Sequence, residues 1–157
     1  MSYLLDTNVV VRLILPHDPL CPVATAAIDE LQQRGERLVV APQNLIELWA
    51  VATRPPEING LGLPPDRVAE ALDRIEAMFR VLDDPPGTFR RWRQIVQSHA
   101  VKGRQAHDAR LVALMVELGI DCVLTFNLDD FRRYPEIRAI SPQSLVPMPS
   151  EPAEGAE

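Results

Sequence analysis

The chain has 157 residues, 46% of them hydrophobic, 24% charged and 5% aromatic, with a formal net charge of −6. That length closes one ordinary domain whose core needs no staples, and the composition excludes a disordered, collagen-like or coiled-coil chain. The acidic total excludes a general coat for nucleic acid, and no apolar run reaches the roughly 18 residues of a membrane span.

Tyr3-Leu4-Leu5 reads as a short buried strand ending at Asp6, followed by a turn and an apolar helix over Val9 to Leu15 capped by Thr7 or Asn8. After Pro16 and Pro19, Val23 to Arg34 has helical periodicity and stops at Gly35. Leu38 to Ala41 is a second apolar strand, ended by Pro42. Leu45, Leu48, Trp49 and Ala52 then recur at helical spacing. Arg54 to Pro65, rich in Pro and Gly, is a loop, and Asp66 is placed to cap a helix running to Phe79. Val81-Leu82 is a short strand, and Phe89 to His99 a further helix closed off by Lys102-Gly103. Ala106 to Leu118 carries a stripe of Leu111, Leu114, Met115 and Leu118, with Gly119 as its C-cap. Cys122 to Thr125 and Arg138 to Ile140 complete the strands. There is no internal repeat.

Short strands that are apolar throughout and alternate with helices predict a parallel sheet covered on both faces, a three-layer α/β/α domain over residues 1–146. Residues 147–157 hold three Glu, three Pro and no cation, and read as a disordered acidic tail. Met1-Ser2-Tyr3 lacks the basic start of a signal peptide, so a cytoplasmic address is expected. Cys21 and Cys122 are too few for a disulfide framework and lack metal spacing; both read as small hydrophobes.

In parallel sheets, ligands bind beyond the carboxyl ends of the strands. Asp6 directly follows the first strand, a position where an Asp commonly caps a helix. Glu47 lies at the edge of a buried helical stripe, where a carboxylate needs water, a donor, a metal or a cation such as Arg54. Asp108 sits in the first turn of its helix, at i−4 from Val112 and i−7 from Met115, on the face that turns to the core; an anion there also suits the helix dipole. Asn127 and Asp130 follow the Cys122 strand in an oxygen-rich turn, and both are ordinary turn residues. Jointly they say more. Like charges converging on one cleft are tolerated only if protonated, paired or bridged by a divalent cation. Hard oxygen ligands without His or Cys favour Mg²⁺ or Mn²⁺ over zinc, and such sites hydrolyse phosphodiesters.

Four segments carry a resemblance: Leu4-Leu5-Asp6-Thr7-Asn8, Asn44-Leu45-Ile46-Glu47-Leu48, His107-Asp108-Ala109-Arg110-Leu111, and Thr125-Phe126-Asn127 through Asp130-Phe131. In order and spacing the chain resembles the PIN-domain nucleases over about residues 3 to 145, and among them the VapC-like toxins of type II toxin–antitoxin pairs. The resemblance implies a Rossmann-like fold, a Mg²⁺- or Mn²⁺-dependent endoribonuclease, frequent homodimers, and an antitoxin partner whose C-terminal segment occupies the active-site groove. Carried over, Asp6 and Asp108 are direct metal ligands, and Glu47 is the third acid, direct or through water. Asn127 stands where many relatives place a fourth acid, with Asp130 as a nearby substitute; this leaves a second metal position open. Thr7, Thr125 and Asn8 would orient carboxylates or water.

Six cations between Arg90 and Arg110 (Arg90, Arg91, Arg93, Lys102, Arg104 and Arg110) face one acid, Asp108, and make either a solvated face or a phosphate-contacting surface. The main expectation is RNA hydrolysis. The alternative is a catalytically inactive PIN-like module that binds RNA or protein, which Asn127 favours. An aspartyl phosphatase wants a second acid where Asn8 stands, and no Gly-rich phosphate loop is present. Trp49 and Trp92 read as core or interface anchors. His107 points elsewhere around its helix from Asp108 and reads as a surface or hydrogen-bonding histidine, while His17 and His99 lie near helix ends with no metal partner spacing. The apolar faces of Val9–Leu15 and Val23–Leu31 fit core packing, a dimer contact or an antitoxin helix.

Overall fold

The computed structural model describes residues 1–146; the acidic tail expected at 147–157 lies outside them. Five strands, β1 (Ser2–Leu5), β2 (Arg37–Val40), β3 (Arg80–Val81), β4 (Cys122–Leu124) and β5 (Arg138–Ile140), form one all-parallel sheet in the order β3-β2-β1-β4-β5. Six helices cover it: α1 (Thr7–Leu13), α2 (Cys21–Gln33), α3 (Pro42–Thr53), α4 (Pro65–Met78), α5 (Thr88–Ser98) and α6 (Gln105–Leu118).

Leu4, Leu5, Val39, Val40, Val123 and Leu124 are fully buried, which explains why their strands read as unbroken apolar runs. Successive side chains alternate between two cores. Tyr3, Leu5, Leu38, Val40, Cys122 and Leu124 point into a layer filled by α1, α2, α3 and α4. Leu4, Val39 and Val123 point into the other, filled chiefly by α6 with Ile95 of α5 and by Phe131, Tyr134 and Ile137 of the β4–β5 connection. This is the three-layer α/β/α architecture expected from the sequence.

Several element ends differ from the sequence reading, each for a local reason. Asp6, not Thr7 or Asn8, is the N-cap of α1: its carboxylate accepts the Thr7 N–H at 2.7 Å. Pro42 starts α3, since its missing N–H is one the first helical turn leaves unpaired in any case. Asn44 Oδ1 accepts the Ala41 N–H at 2.9 Å and caps that turn from inside. Pro65 starts α4 in the same way, so Asp66 lies within the first turn rather than before it. Gly119 closes α6 in the left-handed conformation at φ 64°, as read.

Cys122 is buried and Cys21 half-buried, both free. Val9, Val10, Val11, Ala24, Ala27, Ile28 and Leu31 belong to the first core, so the apolar faces of the first two helices are consumed largely by packing. Trp49 departs from the core role and lies exposed on α3, whereas Trp92 packs partly against the second core. Among the described residues no helix is long and apolar enough to cross a membrane.

The chain runs from β1 outwards to β2 and β3, then crosses back to β4 and β5 on the other side. The direction of winding reverses between β1 and β4, and the loops leaving their carboxyl ends diverge into a crevice at that point.

Candidate active site

Asp6 and Thr125 are the residues that immediately follow β1 and β4, and both are buried. Parallel pairing of Leu5 with Leu124 sets them side by side. Thr125 Oγ1 donates to Asp6 Oδ2 at 2.7 Å, while Asp6 Oδ1 accepts the Thr7 amide. The Thr125 hydroxyl in turn accepts from Asn8 Nδ2 at 3.1 Å and from the backbone N–H of Asn127 at 3.0 Å. Asn8 Oδ1 accepts the Phe126 N–H at 3.1 Å, tying the two loops together. Thr7, Asn8 and Thr125 thus hold the β1–β4 crevice in register.

Glu47 arrives from α3. Its Oε2 accepts the Thr7 hydroxyl at 2.6 Å and its Oε1 accepts Gln43 Nε2 at 2.9 Å, so its partners are Thr7 and Gln43 rather than Arg54. Asn44 Nδ2 donates to Thr7 Oγ1 at 3.2 Å and fixes that hydroxyl from behind. Gln43 also donates to the His107 carbonyl at 2.9 Å, joining α3 to the first turn of α6. Arg110 Nη1 donates to Gln43 Oε1 at 3.1 Å and its Nη2 to Asp84 Oδ2 at 2.6 Å. Gln43, Glu47, Asp84, Arg110, His107, Pro42 and Ile46 line a cleft of about 480 Å³ beside the acids.

Asp108 is half-buried in the first turn of α6. Among the described residues no side chain or amide hydrogen-bonds its carboxylate. Burial, then the charges of Asp130, Asp6 and Glu47, push its pKa up to about 7 against the pull of Arg104. Burial also raises Asp6 to about 6; the Thr125 and Thr7 hydrogen bonds oppose it, and Glu47 and Asp130 add to it. Four acids from four parts of the sequence therefore share one electrostatic field. Asp130, on a 3₁₀ turn over Leu128–Asp130, is felt by both Asp6 and Asp108. Asn127, at the N-cap of that turn, spends its amide on Asp130 Oδ2 at 2.7 Å. Of the two candidates for a fourth acidic position, Asp130 is the charge and Asn127 its support.

The donor set is all oxygen, with no His or Cys, and it carries more negative charge than an isolated crevice tolerates. Those are the requirements of a hard divalent cation. Among the described residues no three of these carboxylates close into a ready-made metal cage. The acids share a crevice, not yet a coordination sphere.

Sequence reading missed Gln43 and Asp84, and gave Asn44 no role beyond its place in the Asn44–Leu48 segment. The i, i+4 spacing of Gln43 and Glu47 on one helix was the available signal for the first; Asp84 meets Arg110 only through the fold. The basic stretch does not form a single patch. Arg91 pairs with Glu117 at 2.9 Å, Arg110 is engaged by Asp84 and Gln43, and Arg104 acts on Asp108. Arg90, Arg93 and Lys102 are exposed with no ion pair among the described residues.

Replacing Thr125 by Val keeps its shape and removes the donor that holds Asp6. We expect Thr125→Val to lower stability by about 1–3 kcal/mol, the cost of an unpartnered buried acceptor. A denaturant melt checks it; an unchanged midpoint would mean that the hydroxyl does not restrain Asp6.

The family model described as PIN domain matches residues 3–137. The chain belongs to the PIN domain family. No curated protein sequence matches it significantly. Among solved structures, the Rickettsia felis VapBC2 structure, bound to a DNA fragment from its promoter, is similar with a TM-score of 0.69 and 15% identity, covering 90% of this chain and 98% of that one. VapC20 of Mycobacterium tuberculosis, described as a Sarcin-Ricin loop cleaving toxin, has a TM-score of 0.62 at 18% identity, covering 85% and 95%. A toxin–antitoxin complex from Klebsiella pneumoniae has a TM-score of 0.60 at 18% identity, covering 90% and 98%. At these identities the likeness is one of fold. This PIN domain gathers its acids where the winding of its sheet reverses, between β1 and β4.

Proposed function

We propose that this PIN domain is a Mg²⁺- or Mn²⁺-dependent endoribonuclease and the toxin half of a toxin–antitoxin pair. The observation that carries the reading is the convergence of Asp6, Glu47, Asp108 and Asp130 on the β1–β4 crevice, with two of them raised well above the ordinary carboxylate range. Asp6, Glu47 and Asp108 would hold the cation, with Asp130 completing the acidic ring. Bound there, a divalent cation supplies water activation and charge neutralisation for phosphodiester hydrolysis.

The rest is work for the chain's own residues. Thr125 and Thr7 fix both oxygens of Asp6, and Thr7 and Gln43 fix both oxygens of Glu47, so these acids need little reorganisation to bind. Arg110 and Arg104 stand at the edge of the acidic crevice as contacts for the phosphates of RNA. Shared fold with a loop-cleaving toxin and with a toxin–antitoxin complex supports RNA as substrate and an antitoxin as partner; a homodimer is part of the same proposal.

The test is a cleavage assay with purified chain and RNA in Mg²⁺ or Mn²⁺. Asp6→Asn and Glu47→Gln are expected to lose about a hundred-fold or more, the scale of several kcal/mol of transition-state stabilisation. Cleavage by both variants at the parent rate would overturn the assignment. The amide at Asn127 favours a second reading, an RNA- or protein-binding module without turnover. Calorimetry separates the two, since that module would take up no Mn²⁺ at millimolar concentration.

A further inference from the structure

Helix α5 is out of character with the chain that contains it. Thr88–Ser98 carries Arg90, Arg91 and Arg93 and no acid, in a protein of net charge −6. Phe89, Trp92 and Arg93 fall at i, i+3 and i+4 and so share one face. The Phe89 and Trp92 rings are stacked with centroids 5.6 Å apart and planes inclined by 29°. Trp92 is anchored beneath: its Nε1–H donates to the Ala106 carbonyl at 2.8 Å, two residues before Asp108 on α6. Phe89 is 69% exposed, a large ring supported on one side and bare on the other. Arg91 pairs with Glu117, whereas Arg93 forms no ion pair among the described residues.

We propose that Phe89, Trp92 and Arg93 form a stacking ledge for a base of single-stranded RNA beside the acidic crevice. This rests on the nuclease reading above and names a contact that reading does not contain. An anchored aromatic face flanked by an exposed guanidinium has the chemistry of single-strand recognition: the ring takes any base, and the cation takes the adjoining phosphate. It also adds to Arg104 and Arg110 a phosphate contact on a helix that carries no acid. A second copy of this chain is the poorer occupant. A symmetric contact through this face would set each Arg93 against the cationic α5 of the other copy.

The experiment measures anisotropy of a labelled single-stranded RNA, and of an abasic strand of equal length and charge, on full-length chain silenced by Asp108→Asn. Adding Phe89→Ala is expected to weaken RNA binding about ten-fold, equivalent to about 1.4 kcal/mol, and to leave the abasic strand unaffected. Phe89→Trp should retain parent affinity, and Arg93→Gln should weaken both strands alike. Equal loss on both strands with Phe89→Ala, or no loss, would overturn the ledge. So would a Phe89→Ala chain that only dissociates from a dimer. If the parent chain cleaves RNA while Phe89→Ala binds normally, the ledge fails and the nuclease stands. If the parent does not cleave but base-dependent binding is lost with Phe89, the ledge stands and the nuclease reading fails.

Discussion

Asp108→Asn is expected to cut RNA cleavage steeply and, at the same time, to raise the melting temperature in metal-free buffer at neutral to slightly alkaline pH. The two effects have one cause. Asp108 is half-buried, has no hydrogen-bond donor among the described residues, and faces Asp130, Asp6 and Glu47. With its pKa pushed up to about 7, the native chain at slightly alkaline pH holds a carboxylate that the unfolded chain ionises at no cost. Asparagine keeps the volume and removes the charge. The gain should appear as a rise of about 2–4 °C for each kcal/mol of repulsion relieved in a domain of this size. Activity should fall by about a thousand-fold, because the same charge is what a divalent cation would bind. Melting in chelator and cleavage in Mg²⁺, on the same preparation, check both halves. A variant that melts below the parent in chelator would mean that Asp108 is held by something other than the acidic crevice.

The second large effect is a pH-dependent response to metal. Asp6 at about 6 and Asp108 at about 7 both lie above the ordinary value of 3.8. Between that value and their own, the folded chain binds more protons than the unfolded chain. Their contribution to stability is therefore whole below the unfolded value and is lost as pH rises through about 6 and then about 7. A divalent cation competes with those protons for the same oxygens. Saturating Mn²⁺ should raise the melting temperature by several degrees near pH 7.5 and by little near pH 5, where both groups are largely protonated. Thermal melts with Mn²⁺ and with chelator at the two pH values measure it. An equal or larger Mn²⁺ shift at the acidic pH would place the metal elsewhere than on Asp6 and Asp108.

The amino-acid sequence by itself determined the architecture and the identity of the acids. Unbroken apolar runs such as Leu4-Leu5 and Val39-Val40 can satisfy their backbones and bury both faces only inside a parallel sheet, and helical stripes such as that of α6 can only cover it. Strand ends in such a sheet point at one rim, so Asp6 and the Asn127–Asp130 turn are legible as rim residues from the sequence alone. Tertiary structure alone decided how those acids are held. Parallel register between β1 and β4 gave Asp6 its partner in Thr125, the meeting of the first turns of α3 and α6 at the strand rim turned Gln43 into a bridge between Glu47 and Arg110, and the β3–α5 loop brought in Asp84. It also divided the basic run of the sequence, pairing Arg91 with Glu117 and leaving Arg93, beside Phe89, with no ion pair among the described residues. Periodicity records which face of an element is buried, because burial repeats along the chain. Hydrogen bonds between elements depend on which strands and helices become neighbours, and no local pattern encodes that choice.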